Sequence, residues 1–466
     1  MTLKKYIGDK AFYRTVLAVA VPIMIQNGFT NLVNLLDNIM VGRLGTESMS
    51  GVSIVNQFIF IFNLLIFGAI SAAGIFTAQY HGMKDVEGER HTFRFKLLIN
   101  FLAGVIGVLV FGFFSEELIH LFLHDGSAEG DLLLTLSEGK KYLYVMLVGL
   151  IPYAISQAYA STMREVGETV MPMVASIAAV VTNFVFNIIL IFGLLGAPAL
   201  GVVGAAIATV LSRFVELALL IVWGHTHTEK CKFLMGAYRS FHIPRALMGT
   251  IALKGLPLMI NEFFWSLAVT MRNQCYSTRG LDVVAAQNIN ATIENLVSVV
   301  YMALGTSIAI VVGNLLGAGK LEEAKDADRK MMTFSVLCAV GMGGVLAAIS
   351  PFFPRIYNTG ESVWQLAGFM MIVTAIATPF RSFAHAAYFT LRSGGKVLIT
   401  LLFDSIYMWA VVMPVALILT HFTGLDIHWL FVICQGVESA KFVLGALLLK
   451  KGNWATQLVA DESLKA

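Results

Sequence analysis

The chain has 466 residues, of which 57% are hydrophobic and only 13% charged, against roughly 25% charged in a soluble domain. Apolar runs long enough to cross a bilayer, about 20 residues at 1.5 Å rise, recur almost from end to end and leave no room for a soluble catalytic domain. The net charge of +3 says little, because in a membrane protein the placement of Lys and Arg matters more than their sum.

The pattern predicts an all-α membrane protein with twelve transmembrane helices, at approximately 15–39, 50–80, 96–114, 141–163, 170–194, 199–223, 252–276, 282–316, 330–353, 363–391, 396–420 and 426–449. The second and eighth runs exceed what a crossing needs, so tilt or projection beyond the bilayer is expected. With the N-terminus inside, 23 of the 32 Lys and Arg fall in cytoplasmic segments, so both termini are predicted to be cytoplasmic and the protein multi-pass in the cell (plasma) membrane. The apolar run after KKYIGDKAFYR is too long for a signal-peptide core and no small-residue cleavage site follows, which predicts a retained first helix. Cys231, Cys275, Cys338 and Cys434 stand apart with no CxxC spacing and read as packing residues.

The chain repeats itself. A shift of 235 residues aligns Pro22 with Pro257, Gly45 with Gly280, Ser71 with Thr306, Gln79 with Asn314 and Gly82 with Gly317; a second register sets MREVG (163–167) on LRSGG (391–395). Six spans in each half give two pseudo-symmetric six-helix lobes: an N-terminal lobe over 1–223, a basic cytoplasmic connector over 224–251, a C-terminal lobe over 252–450 and a tail over 451–466. An even number of spans per half makes the repeat parallel, an arrangement that commonly flanks a substrate site near the membrane midplane.

In the first span Gln26, Asn27, Thr30, Asn31, Asn34, Asp37 and Asn38 project into an arc of roughly 140° at 100° per residue. Such a stripe in hydrocarbon would cost several kcal/mol per unsatisfied group, so the face must look onto protein or water. An acid inside a span marks an ion pathway, a proton relay or a substrate contact. Asp37 could exchange a proton, or hold a monovalent cation with help from amide oxygens; the plain alternative is a carboxylate reaching the interface or pairing with Arg43.

Pro22, Gln26, Asp37 and the run Met40-Val41-Gly42 with Leu44 and Gly45 resemble the first span of the multidrug and toxic compound extrusion family. AQYHGMKD (78–85), GNLLGAGK (313–320), TMREVGET and TLRSGGK are similar to that family's paired motifs, in the same order over nearly the whole chain. The resemblance implies two six-helix lobes, alternating access, and export of small organic, often cationic, compounds driven by inward Na+ or H+. No other cofactor and no nucleic acid is implied, and a monomer among membrane lipids is expected. Related exporters that flip lipid-linked saccharides or other lipids share the two-lobe plan and form the alternative reading; they would carry several bases in the cavity, and the first-span stripe has none.

The other intramembrane charges sort against that frame. Glu262, five residues after Pro257, is the second acid expected to couple an ion, and Asp404 the third. Where the resemblance implies an acid in the tenth span, this chain has Arg381, which could pair with Glu262. Where a proton-linked branch implies an Asp in the fifth span it has Asn183 and Asn187, so Asp37 would work with amides. Gln26, Thr30, Asn34, Asn183, Asn187, Trp265, Arg381 and Glu294 are the expected cavity-lining residues. Arg213 with Glu216 and Glu438 with Lys441 read as i,i+3 pairs, Arg272 as an interfacial snorkel, and His385, one turn after Arg381, as a hydrogen-bonded core histidine or a group that titrates near neutral pH. GNLLGAGK lacks the Gly and the Ser or Thr of a phosphate loop, and no HExxH or G-x-S-x-G occurs, so neither ATP-driven pumping nor an enzyme is supported.

Overall fold

The computed structural model describes residues 5–120, 129–357 and 359–460, without the side chains of 34, 35, 38, 39, 46 and 129–131. The described residues form helices and no strand. In chain order these are α1 Lys10–Gly42, α2 Thr46–Met83, α3 Val86–Phe113, α4 Ser115–His120, α5 Glu129–Glu165, α6 Val170–Phe192, α7 Val202–Thr226, α8 Arg245–Ser277, α9 Leu281–Gly317, α10 Leu321–Ile349 and α11 Glu361–Ser393. The last two spans are segmented, as α12 Val397–Leu401 with α13 Met413–Phe422 and as α14 Ile427–Ser439 with α15 Lys441–Lys450. Among the described residues, eleven helices are long and apolar enough to cross a membrane. The remaining expected span, the seventh at 252–276, lies in α8, whose Arg245, Lys254, Glu262 and Arg272 lower its apolarity.

Local chemistry sets the ends of these helices. Asp85 caps α3 by accepting from Gly88 N at 3.0 Å, and Asp426 caps α14 by accepting from His428 N at 2.8 Å. Gly45 (φ 119°) and Gly280 (φ 120°) turn the chain into α2 and α9, and Gly167 (φ 88°) and Gly395 (φ 72°) end the α5 and α11 turns. These are the glycine pairs that the sequence repeat aligns, so the two halves share backbone conformation where their side chains have diverged. The α2 and α9 helices, 38 and 37 residues long, match the two overlong runs.

The chain divides into two compact units, one of Met1–Met24, Ala78–Lys84 and Leu256–Glu462 and one of Ile25–Thr77, Asp85–Gly255 and Ser463–Ala466. In the first unit Val16 and Ala20 of α1 pack with Leu304, Ile308 and Val312 of α9 and with Ala386 and Phe389 of α11. Here a Cβ on Gly82 would overlap the Asn314 carbonyl, and one on Gly317 the Gln79 carbonyl. The aligned pairs Gln79/Asn314 and Gly82/Gly317 therefore make a reciprocal backbone contact that only glycine permits, the small-residue crossing of membrane helices. In the second unit Val55 and Phe58 of α2, Leu143 of α5 and Ala206 of α7 share one core, and Phe93, Met163 and Leu220 share another.

The connector and the tail are both docked. Cys231, Phe233, Leu234 and Ala237 are buried in the second unit, where the Arg94 guanidinium donates to the carbonyls of Ala237 (2.8 Å), Gly236 (3.1 Å) and His242 (3.1 Å). Burial, and the Glu168 carboxylate after it, push the Cys231 thiol up to about 12. In the first unit the Gln79 amide donates to Ser393 O (3.0 Å) and Thr456 O (3.1 Å) and accepts from Leu458 N (2.7 Å), and Gln457 donates to Gly317 O (2.7 Å). Trp454 and Val459 are buried as a result.

Candidate functional site

The second unit builds its site around Asp37 of α1. Asn183 and Asn187 stand one turn apart on α6, with their side chains on one face. Asn187 Nδ2 donates to Asp37 Oδ1 at 2.5 Å. The amide of Asn183 satisfies its neighbours when its nitrogen faces the carboxylate, donating to Asp37 Oδ1 at 2.9 Å while its oxygen accepts from Thr209 Oγ1 of α7 at 3.1 Å. Asp37 is half-buried, and among the described residues it has no ion-pair partner. The nearby base, Arg213, is engaged elsewhere: it lies over the Tyr153 ring at 4.5 Å and 3.7 Å from Glu216. Asn187 Oδ1 is buried with no hydrogen-bond partner. A carboxylate with an unused amide oxygen beside it presents the hard oxygen ligands that a small cation prefers.

Gln26 and Thr30 of the first-span stripe make their contacts elsewhere. Gln26 accepts from Arg164 Nη1 at 3.5 Å, and the exposed Thr30 turns its hydroxyl back onto Gln26 O at 3.0 Å. The side chain of Asn34, and that of Asn38, lie outside the described residues. Thr209 escaped the sequence reading because one Thr in an apolar run carries no signal until α6 is placed beside it.

In the first unit, Glu262 of α8 accepts from the Tyr388 hydroxyl of α11 at 2.8 Å and has no ion-pair partner among the described residues. Beside it Asn261 donates to Asp404 Oδ2 at 3.0 Å, and Lys441 Nζ meets Asp404 Oδ1 at 2.5 Å. Asp404 lies in a wide π-helical turn, Leu402–Ile406, followed by a second, Met408–Val412. Such turns add a residue to the helix and shift which side chains share a face, often at functional sites. Asn261 props the first: its Oδ1 accepts from Ser405 N at 3.3 Å, and Ser405 Oγ donates to Asn261 O at 2.6 Å.

Three pairings differ from those expected. Arg381 does not reach Glu262; it pairs with Glu294 of α9, donates to Gln435 Oε1 at 2.5 Å and lies 3.6 Å from Glu438. Arg272 is not an interfacial snorkel but is buried and paired with Glu438. Lys441 and Glu438 do not pair with each other, because the helix breaks at Ala440 between them and each meets a stronger partner on another helix. Spacing along one helix shows only i,i+3 neighbours, and the partners here stand on separate helices. Arg213 and Glu216 do pair as spaced. Trp265 is half-buried against Ala268, Met408 and Val412, packed on the π-helical segment.

Comparisons with known proteins add a family and a fold. The MatE family model matches residues 22–189 and 257–418. The Bacillus subtilis (strain 168) protein named "Probable multidrug resistance protein YoeA" is 23% identical over 432 residues, covering 92% of this chain and 90% of that protein. Multidrug resistance protein PmpM of Pseudomonas aeruginosa is 24% identical over 416 residues, covering 89% of this chain and 85% of its own length. A solved outward-facing multidrug resistance MATE family transporter of the MOP superfamily superposes with a TM-score of 0.85 at 20% identity, over 97% of this chain and 98% of that one.

Proposed function

Because the chain belongs to the multidrug and toxic compound extrusion (MATE) family of multi-pass membrane transporters, we propose that it is a secondary antiporter exporting small organic, cationic compounds in exchange for inward Na+ or H+. The observation that carries this reading is the setting of Asp37: a carboxylate inside a membrane span, held by neutral amides, with no ion-pair partner among the described residues. A charge in a span is costly unless compensated. Here the compensation comes from a transient partner, which is the coupling ion in one half of the cycle and the cationic cargo in the other. Occupancy by either excludes the other, and that exclusion produces antiport.

Glu262 is the second exchangeable acid, with Asp404 beside it held by Lys441 and linked through Asn261. The N-terminal lobe over 1–223 and the C-terminal lobe over 252–450 exchange access to the two sides of the membrane, both termini stay cytoplasmic, and the protein works as a monomer in the plasma membrane. Efflux of a fluorescent organic cation from proteoliposomes under an imposed Na+ or pH gradient tests the reading. One of the two gradients should drive export by the natural protein, and Asp37→Asn and Glu262→Gln should lose it. Undiminished export in both variants would remove the coupling roles. Flipping of a lipid-linked saccharide with no export of the cation would establish the flippase alternative.

A further inference from the structure

At the end of the first unit where α10 begins and α15 finishes, a cavity of about 830 Å³ lies outside the acid sites described above. One face of α10 runs along it. Lys325, Arg329, Met332 and Val336 follow the i, i+4, i+7, i+11 spacing of a helix face, charged at the helix end and apolar about two turns further in. Phe383 of α11 and Leu449 of α15 complete the apolar wall, and the docked tail closes one side with Trp454. Leu337, which also lines it, is exposed, so the apolar part opens sideways at the surface of the bundle. Lys450 and Lys451 stand at the charged end and have no carboxylate partner among the described residues.

The acids nearby do not neutralise this rim. Asp328 accepts from the Thr390 hydroxyl and is buried. Glu322 lies 2.7 Å from Lys325, and Asp326 lies 3.8 Å from Arg329 and 2.6 Å from Lys330, all short-range pairs along one helix surface that exchange at little cost. The ligand that matches a basic rim above a laterally open apolar groove has an anionic head and a hydrocarbon tail. Basic pockets between membrane helices on the cytoplasmic side suit such head groups.

We propose that this groove binds one anionic glycerophospholipid, with its phosphate against Arg329, Lys450 and Lys451 and one acyl chain along Met332, Val336 and Phe383. The docked tail forms part of the site, which ties lipid occupancy to the tail's position. Free inorganic phosphate would use only the rim.

Lipid binding to the detergent-purified full chain, followed by native mass spectrometry, tests this with three probes: phosphatidylglycerol, phosphatidylcholine with the same chains, and chain-free glycerophosphoglycerol. The natural protein should prefer phosphatidylglycerol to phosphatidylcholine by about tenfold or more. The triple variant Arg329→Gln, Lys450→Gln, Lys451→Gln changes only partly or fully exposed side chains, and it should lose the preference while keeping phosphatidylcholine binding. Equal binding of the two lipids by the natural protein, or an undiminished preference in the triple variant, would overturn the proposal. Binding of the chain-free head group as tight as that of the lipid would overturn it too, by showing a phosphate site without a lipid.

Discussion

The clusters around Asp37 and Arg381, one in each unit, handle buried charge in opposite ways. Around Asp37 the partners are neutral: two amides on α6 and, behind one of them, a threonine on α7. Around Arg381 the partners are ions, with Glu294, Glu438 and Arg272 drawn from α9, α14 and α8 into one network, and Lys441 matched to Asp404 nearby. An ion pair is complete in itself, whereas an acid among amides still wants a cation. The first arrangement suits a fixed joint between helices and the second a site that fills and empties. Glu262 stands between these cases, in the ion-rich unit but held by a phenol.

Breaking the ion network should have the largest effect on stability. Arg381→Met leaves Glu294 and Glu438 short of a partner, and removal of one member of a buried pair costs about 3–5 kcal/mol. Thermal unfolding in detergent should show a marked drop, and Arg381→Met with Glu294→Gln should recover part of it. Next comes the amide cluster: Asn187→Leu removes a donor from Asp37 and should cost about 1–3 kcal/mol, visible in the same assay. Asp37→Asn is expected to be milder still, within about 1 kcal/mol, because no ion pair is lost. The comparison fails if Asp37→Asn destabilises as much as Arg381→Met.

The smallest effect concerns the docked connector. With burial pushing the Cys231 thiol up to about 12, its reactive thiolate is scarce at neutral pH. A thiol-specific alkylating reagent at pH 7.5 should leave Cys231 unmodified in the folded protein and label it after denaturation, as read by peptide mass spectrometry. Rapid labelling in the folded state would mean that the connector is undocked from Phe93, Met163 and Leu220.

Much of the fold was legible because membrane helices advertise themselves by length and apolarity, and because the repeat put glycine at matched turns, Gly45 with Gly280 and Gly167 with Gly395. The Asp37 cluster was partly legible too. An acid in a span and two Asn one turn apart are rare enough in apolar sequence to stand out, and the structure brings all three together.

What remained hidden depends on neighbours remote in sequence. Arg272, Arg381 and Lys441 each offered several carboxylates, and only helix packing chooses among them. The π-helical turns around Asp404 arise where Asn261 of α8 meets Ser405, with no proline or glycine in Leu402–Ile406 to announce them. The docked tail was equally silent, since Gln79 holds it from 377 residues away in the chain.

The account rests on Asp37 being the place where coupling ion and cargo exclude one another. Equilibrium binding of a fluorescent organic cation to the purified protein, measured while Na+ is raised at fixed pH and while pH is lowered at fixed Na+, tests this most directly. The natural protein should release the dye as one of the two ions rises, and Asp37→Asn should bind it with an affinity that neither ion changes. Dye release by the same ion, to the same extent, in Asp37→Asn would contradict the account.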